Sequence, residues 1–193
     1  MHGEMAKRIV EVAHDLMVER GYSAFSYADV SEQIGITKAT IHHHFSTKSD
    51  LAVAVLKRHR ERLEQATQYL EGKVQDPLAM LHAYVQHWEA CIADRSVPIC
   101  VAALLSAEMP VLPEAVQAEV RRHFEVLSSW LERTLRAGVA GKVISLNGTP
   151  AEEAQFLMAA VHGGMLSARA SGSCDVFKIV TTSALNRLNL VKQ

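Results

Sequence analysis

The 193-residue sequence contains few cysteines and no long apolar segment. Its three cysteines, Cys91, Cys100 and Cys174, are an odd number, and none forms a C-x-x-C metal motif. We therefore expect free thiols, as in a reducing compartment. No apolar run approaches the roughly 20 residues that cross a bilayer. No basic segment followed by a cleavage site opens the sequence, so we expect a cytoplasmic protein that binds no membrane.

The usual patterns of catalysis and of β-structure are also missing. The sequence shows no nucleophile–base pair, no paired carboxylates and no Gly-rich phosphate loop, which argues against an enzyme. Strand-like alternation and internal repeats are absent, whereas apolar residues recur at helical spacing. Since 49% of residues are apolar, the chain can bury a core. We expect an all-α fold of about nine helices with no cofactor and no metal.

The N-terminal quarter lacks an excess of positive charge. Residues 1–50 carry five Lys or Arg and seven Asp or Glu, a balance of −2. A DNA-binding segment is usually basic, because cationic side chains contact phosphates. Most of these acids, however, fall in the first helix or at helix N-termini, where they stabilise the helix dipole. We give the motif in this segment more weight than its net charge.

Residues 26–51 predict two short helices joined by a tight turn, followed by the start of a third helix. Ser26 and, three residues later, Asp29 form the pattern of a capping box. Gly35 allows the left-handed conformation that ends a helix, and Thr37 caps the second helix. This is the pattern of a helix-turn-helix, whose second helix enters the major groove of DNA.

The segment resembles the tetracycline-repressor (TetR/AcrR) family over residues 5–55. The matching positions are Gly21-Tyr22, Phe25-Ser26, Asp29-Val30, Gly35-Ile36-Thr37-Lys38, Ile41, His44-Phe45 and Lys48 through Leu51. The resemblance implies a dimeric regulator that binds double-stranded operator DNA, most often a repressor, and responds to a small-molecule effector. We expect a DNA-binding domain at residues 1–47 and an effector-binding and dimerisation domain at 48–193, with 48–72 as the connecting helix.

The resemblance also implies which side chains face DNA. The expected contacts are Ser26, Thr37, Lys38, Thr40, His42, His43 and Lys48. His42 stands where the family usually has a Tyr that touches a DNA phosphate, so the phosphate contacts here differ from the usual pattern. The run of three histidines is not a metal site, because helical neighbours point about 100° apart.

The remaining helices are expected to enclose the effector. Candidate lining residues are Trp88, Cys100, Leu104, Met109, Phe124, Leu127, Met158 and His162. Aromatic and Met residues at helical spacing are equally typical of an ordinary core, and that alternative stays open.

The last two helices are expected to form the dimer interface. Small side chains on the penultimate helix would let two backbones approach closely. The expected interface residues are Leu157, Val161, Gly164, Ala168, Leu185 and Leu188. A single short recognition helix reads few base pairs, which favours a dimer. The alternative is that these residues pack within one chain.

Cys100 follows Pro98 at the start of a short predicted helix. Free N–H groups at a helix start lower a thiol pKa. The segment is similar to one in a branch of the family that includes electrophile-sensing repressors of the N-ethylmaleimide type, which implies a thiol-based sensor. The alternative is a small buried hydrophobe. A different alternative for the whole chain is a helical small-molecule-binding protein or enzyme without DNA binding.

Overall fold

The computed structural model describes residues 2–188, apart from the side chain of His2, and this part of the chain is all-α as predicted. Nine α-helices and one short 3-10 turn, Met109–Val111, follow one another in it. The helices are α1 (His2–Arg20), α2 (Tyr27–Ile34), α3 (Lys38–His44), α4 (Lys48–Lys73), α5 (Pro77–Ala93), α6 (Val101–Ser106), α7 (Glu114–Ala140), α8 (Pro150–Ser171) and α9 (Cys174–Asn186). Within the described residues, none of these helices is long and apolar enough to cross a bilayer.

The capping box predicted at Ser26 is confirmed, and a second one begins α8. Ser26 accepts a hydrogen bond from the Asp29 backbone N–H, and Asp29 in turn accepts one from the Ser26 N–H. Thr149 and Glu152 form the same reciprocal pair at the start of α8. Gly35 ends α2 at φ 76°, in the left-handed region where a side chain would be strained. These caps therefore fix both ends of α2, as the sequence predicted, and the start of α8.

Helix α7 passes Gly138 and ends at Ala140, directly before Gly141, whose N–H bonds to the Ala137 carbonyl. In α5 the side chain of Cys91 is half-buried.

The chain folds as two compact units that differ from the predicted domains. The first unit comprises Met1–Arg62 and Cys100–Phe124, and the second comprises Leu63–Ile99 and Glu125–Gln193. The first unit thus contains α1 to α3 together with α6 and parts of α4 and α7. The domain division after residue 47 stays a prediction, because neither unit ends there.

The core of the first unit is built from one apolar face of each helix. The N-terminal helices and the start of α4 bury Ile9, Ala13, Leu16, Met17, Phe25, Val30, Ile41, Leu51, Val55 and Leu56. Within α1 and the start of α4 these positions recur three or four residues apart, as amphipathic helices require, and Phe25 lies in the turn between α1 and α2.

The core of the second unit centres on Trp130. Its indole packs edge-to-face against the ring of Tyr84, with ring centroids 5.7 Å apart. In the same unit α8 packs closely on α9, because a Cβ on Gly164 would lie 3.2 Å from Cδ2 of Phe177. The small residue on α8 therefore admits an aromatic side chain of the same chain.

The predicted dimer residues need a correction. All six are buried within the described chain itself: Leu157, Val161, Gly164, Ala168, Leu185 and Leu188. Gly164 faces Phe177 of α9, and the other five are covered as well, so the six do not present a surface to a second copy. These residues instead fit the alternative of packing within one chain, because their side chains face the interior of the second unit.

Candidate functional site

The second helix of the helix-turn-helix is held by contacts on its inner side. Ile41 is fully buried, and the Tyr27 hydroxyl donates to the Phe45 carbonyl over 2.8 Å. Burial raises the pKa of Tyr27 to about 12, so this hydroxyl keeps its proton at physiological pH. Thr37 caps the start of α3 by accepting from the Thr40 N–H. Both ends of α3 are therefore fixed by contacts within the first unit.

The residues expected to contact DNA differ in exposure. Ser26, Thr37, Lys38, His42 and His43 are exposed, whereas Thr40 and Lys48 are half-buried. The hydroxyls of Ser26 and Thr37 already serve as helix caps. This leaves Lys38, His42 and His43 as the α3 side chains that are most accessible.

His42 is oriented by its neighbours. Its ring packs edge-to-face on Tyr27, with centroids 4.8 Å apart. Its Nδ1 lies 3.2 Å from the Ser46 carbonyl, to which it donates when it carries the proton. The opposite ring nitrogen then stays available for a contact outside the chain. A phosphate contact by His42 stays a prediction.

Lys48 has partners that the sequence did not predict. Its ammonium lies 4.6 Å from the ring centroids of both Tyr22 and Phe25 and 3.5 Å from the Ser23 carbonyl. Burial lowers the pKa of Lys48, and the Glu108 carboxylate acts in the opposite direction. Lys48 therefore stabilises the turn that precedes α2, and its contact with phosphate stays a prediction.

Glu108 joins the end of α6 to the same turn. Its carboxylate accepts from the Tyr22 N–H over 2.7 Å, from the Ser23 N–H over 2.9 Å and from the Ser23 hydroxyl over 2.5 Å. Gly21 makes room for this carboxylate, since a Cβ there would overlap it. Burial alone would raise the pKa of Glu108, but these hydrogen bonds and Lys48 outweigh it and lower the pKa. Sequence analysis missed this residue.

The eight candidate effector residues are divided between the two compact units. The first unit contains Cys100, Leu104, Met109 and Phe124, and the second contains Trp88, Leu127, Met158 and His162. Burial lowers the pKa of His162 to about 4, and its hydrogen bond with the Met158 backbone opposes this shift. A role of these residues in one effector site stays a prediction.

The predicted activation of Cys100 is wrong. Cys100 is the N-cap residue of α6, one position before the first turn, and its side chain makes no capping hydrogen bond. The residue is 0% exposed. Burial raises the pKa of its thiol to about 11, against the smaller lowering effect of the Ala102 and Ala103 N–H groups. Desolvation of the thiolate outweighs the favourable field of the helix start.

We therefore expect Cys100 to be alkylated more slowly than Cys91 and Cys174 at pH 7.5. The latter two are half-buried, and a reagent reaches them without opening of the core. Mass spectrometry after labelling with a maleimide measures the three alkylation rates in one sample. A chelator is present so that no metal ion protects a thiol. Unfolding in urea should equalise the rates, which controls for local sequence. Faster labelling of Cys100 in folded protein would restore the sensor hypothesis.

Two capped helices around Gly35, with a buried Ile41 and an exposed outer face on α3, define a helix-turn-helix protein. The family model for bacterial regulatory proteins of the tetR family matches residues 9–55, and that for the tetracyclin repressor-like C-terminal domain matches residues 77–183. The chain belongs to the tetR family of transcriptional regulators. This confirms the resemblance, together with its assignment as a DNA-binding regulator.

Individual relatives agree with this assignment. The HTH-type transcriptional repressor NemR of Escherichia coli K12 is 25% identical over 173 residues, which cover 88% of this chain and 86% of NemR. The repressor DhaR of Mycobacterium sp. GP1 is 25% identical over 161 residues, covering 83% and 80%. A crystal structure of a TetR-family regulator from Agrobacterium tumefaciens is 46% identical, with a TM-score of 0.94 and coverage of 96% and 98%.

Proposed function

We propose that this regulator is a dimeric repressor that binds operator DNA through α3 and is released by a small molecule. Residues 1–47 would act as the DNA-binding domain, with 48–72 as the connection to the effector and dimerisation domain at 48–193. The proposal is carried by one observation: α3 is fixed on its inner side by Ile41 and both caps, yet exposes Lys38, His42 and His43. Such a helix can enter a major groove without losing its own contacts.

A second copy of the chain would supply the second α3 helix that is needed to read a pair of half-sites. Three large apolar side chains on α8 and α9 are exposed: Phe156 (40%), Leu166 (43%) and Ile179 (67%). Gly163, on the same face of α8, has open space where a Cβ would stand, so another backbone can approach it. We propose this outer face for the dimer, in place of the six buried residues that the sequence favoured.

The effector would bind in the larger domain and shift the equilibrium between two arrangements of the dimer. Only one arrangement would place the two α3 helices at the spacing of the half-sites. By linkage, DNA then weakens the effector by the same factor by which the effector weakens DNA. We propose that the residues predicted from the sequence line this effector site.

Selection of bound sequences from a random DNA library tests the role of α3. We expect the native protein to return a twofold-related consensus. We expect Thr40→Ala to change the preferred base at one position in each half-site, because a Thr can contact a base edge or a thymine methyl group. Thr182→Ala, an exposed Thr on α9, is the matched control and should return the native consensus. An unchanged consensus for Thr40→Ala would remove this residue from base recognition, and the absence of any consensus would contradict the proposed function.

A further inference from the structure

Two histidines and a cysteine from distant parts of the sequence meet inside the first unit. Sγ of Cys100 lies 3.3 Å from Nε2 of His59 and 3.6 Å from Nε2 of His123. The three potential ligand atoms all lie within 4.8 Å of one another. Cys100 and His123 are buried and His59 is half-buried. One helix, α4, supplies His59, another, α7, supplies His123, and Cys100 stands at the N-cap of α6.

These distances match a tetrahedral metal site. With Zn–S near 2.3 Å and Zn–N near 2.0–2.1 Å, a tetrahedral angle separates sulfur from nitrogen by about 3.5 Å. The two observed sulfur–nitrogen distances, 3.3 and 3.6 Å, bracket this value. Thiolate and imidazole together are typical ligands of Zn²⁺ and of similar transition-metal cations, whereas Mg²⁺ and Ca²⁺ prefer oxygen ligands. Both the ligand types and their spacing thus agree with a tetrahedral site for Zn²⁺.

The surroundings hold the two histidines in place. Their rings are stacked, with centroids 4.8 Å apart and an interplanar angle of 28°. One residue along α4, Arg60 pairs with Glu119 of α7 over 3.3 Å, and both side chains are largely buried. This ion pair fixes α4 against α7 within the first unit, one helical turn from His123. A small rotation of the rings would close the nitrogen–nitrogen distance around an ion.

A route from solvent reaches the cluster. A surface cleft between α1 and α4 includes His59 among its lining residues, together with Glu11, His14 and Asp15. The His14 ring lies beside the His59 ring, with centroids 6.0 Å apart. Arg58 and Arg62 line the same cleft and pair with Glu11, so the cleft has no net negative charge. An ion that enters it would meet His59 first, because His59 is the member of the cluster that lines the cleft.

We propose that His59, Cys100 and His123 form a binding site for a Zn²⁺-type transition-metal cation. Cys100 binds as the thiolate and releases its proton to solvent, while each histidine donates a ring-nitrogen lone pair. The ion joins α4, α6 and α7 within the first unit. It also lies at the start of the short α6 segment that ends at Glu108, the residue bonded to the turn before α2. This site goes beyond the proposed operator and small-molecule binding and does not depend on either.

Titration of the metal-free full-length protein with Co²⁺ tests the site. Tetrahedral cobalt with a thiolate ligand gives visible d–d bands and a thiolate-to-cobalt charge-transfer band in the near ultraviolet. We expect both, at one Co²⁺ per chain, with displacement by Zn²⁺. Cys100→Ser should abolish the charge-transfer band. His59→Gln should weaken Co²⁺ binding by at least about tenfold; it changes a half-buried residue, so it remains informative if the buried Cys100→Ser variant does not fold.

Cys91→Ser is the matched control, because Cys91 has one histidine partner, His87, at 3.8 Å and is half-buried. This variant should keep the native spectrum and affinity. Absence of the charge-transfer band in native protein, its retention in folded Cys100→Ser, or native affinity in His59→Gln would overturn the proposal. Loss of the band in Cys91→Ser would overturn it as well, since the thiolate ligand would then be a different cysteine.

Discussion

Glu108→Ala is expected to expose the turn before α2 to exchange with solvent. The carboxylate accepts three hydrogen bonds, from the Tyr22 and Ser23 N–H groups and the Ser23 hydroxyl. A hydrogen bond to a charged acceptor contributes about 1.5–3 kcal/mol. Because Glu108 is half-buried and water can replace part of this set, we expect the three together to contribute about 2–3 kcal/mol. The amides of Tyr22 and Ser23 should then exchange with solvent about 30- to 160-fold faster.

Hydrogen exchange measured on peptides covering residues 21–34 checks this expectation. Glu125→Ala, an exposed Glu on α7, is the matched control and should leave these peptides unchanged. The native protein should lose the same protection from hydrogen exchange in acid. Since the pKa of Glu108 is lowered in the folded state, its contribution is present above the ordinary value of 4.5 and is lost as pH falls through the lowered pKa. Native exchange rates in Glu108→Ala would show that the turn is held by other contacts.

His162 is expected to make the protein less stable in mild acid. Its folded pKa of about 4 lies below the ordinary value of 6.5, so the unfolded chain binds a proton more readily than the folded one. Stability is therefore highest above pH 6.5 and falls as pH decreases from 6.5 towards 4. At pH 5 this single group should lower the free energy of unfolding by about 2 kcal/mol relative to pH 7.5.

Urea unfolding at pH 7.5 and pH 5 measures this effect. His162→Leu should reduce the difference between the free energies of unfolding at the two pH values by about 2 kcal/mol, because the buried group no longer titrates. His82→Leu, an exposed His on α5, is the matched control and should keep the native difference. If native protein and His162→Leu lose the same stability in acid, the buried imidazole is not the group responsible.

The fold could be predicted largely because its signals are local. Ser26 with Asp29, and Thr149 with Glu152, lie three residues apart, so their capping boxes are legible in the sequence. The same is true of Gly35, whose left-handed conformation follows from the turn that it must form. Boundaries set by such short-range contacts do not depend on tertiary packing.

The parts that could not be predicted depend on packing between distant segments. Glu108 acts on a turn more than 80 residues earlier in the chain. Neither His59 nor His123 was among the predicted site residues. His59 stands in the sequence among basic residues, and His123, beside Phe124, lies three residues after Val120 on the buried side of α7. A His within an apolar stripe is the one signal that marked this position. Cys100 was misjudged because a helix start is local, whereas the desolvation that raises its pKa is tertiary.

The face of α8 was misassigned for the same reason. Small residues at helical spacing indicate close approach of another helix, but the pattern does not say whether that helix belongs to the same chain. Gly164 receives Phe177 of its own unit, whereas Gly163, one residue earlier and about 100° around the helix, faces open space. Only the structure separates the two sides.

The proposal as a whole depends on two α3 helices reading twofold-related half-sites, and native mass spectrometry of the complex with selected DNA tests this most directly. The account predicts two chains per duplex. Gly163→Arg should give single chains and weaker DNA binding, while Ala118→Arg, an exposed site on α7, should keep two chains. The account would be contradicted if the native protein bound as one chain per duplex and Gly163→Arg bound the DNA as tightly as the native protein does.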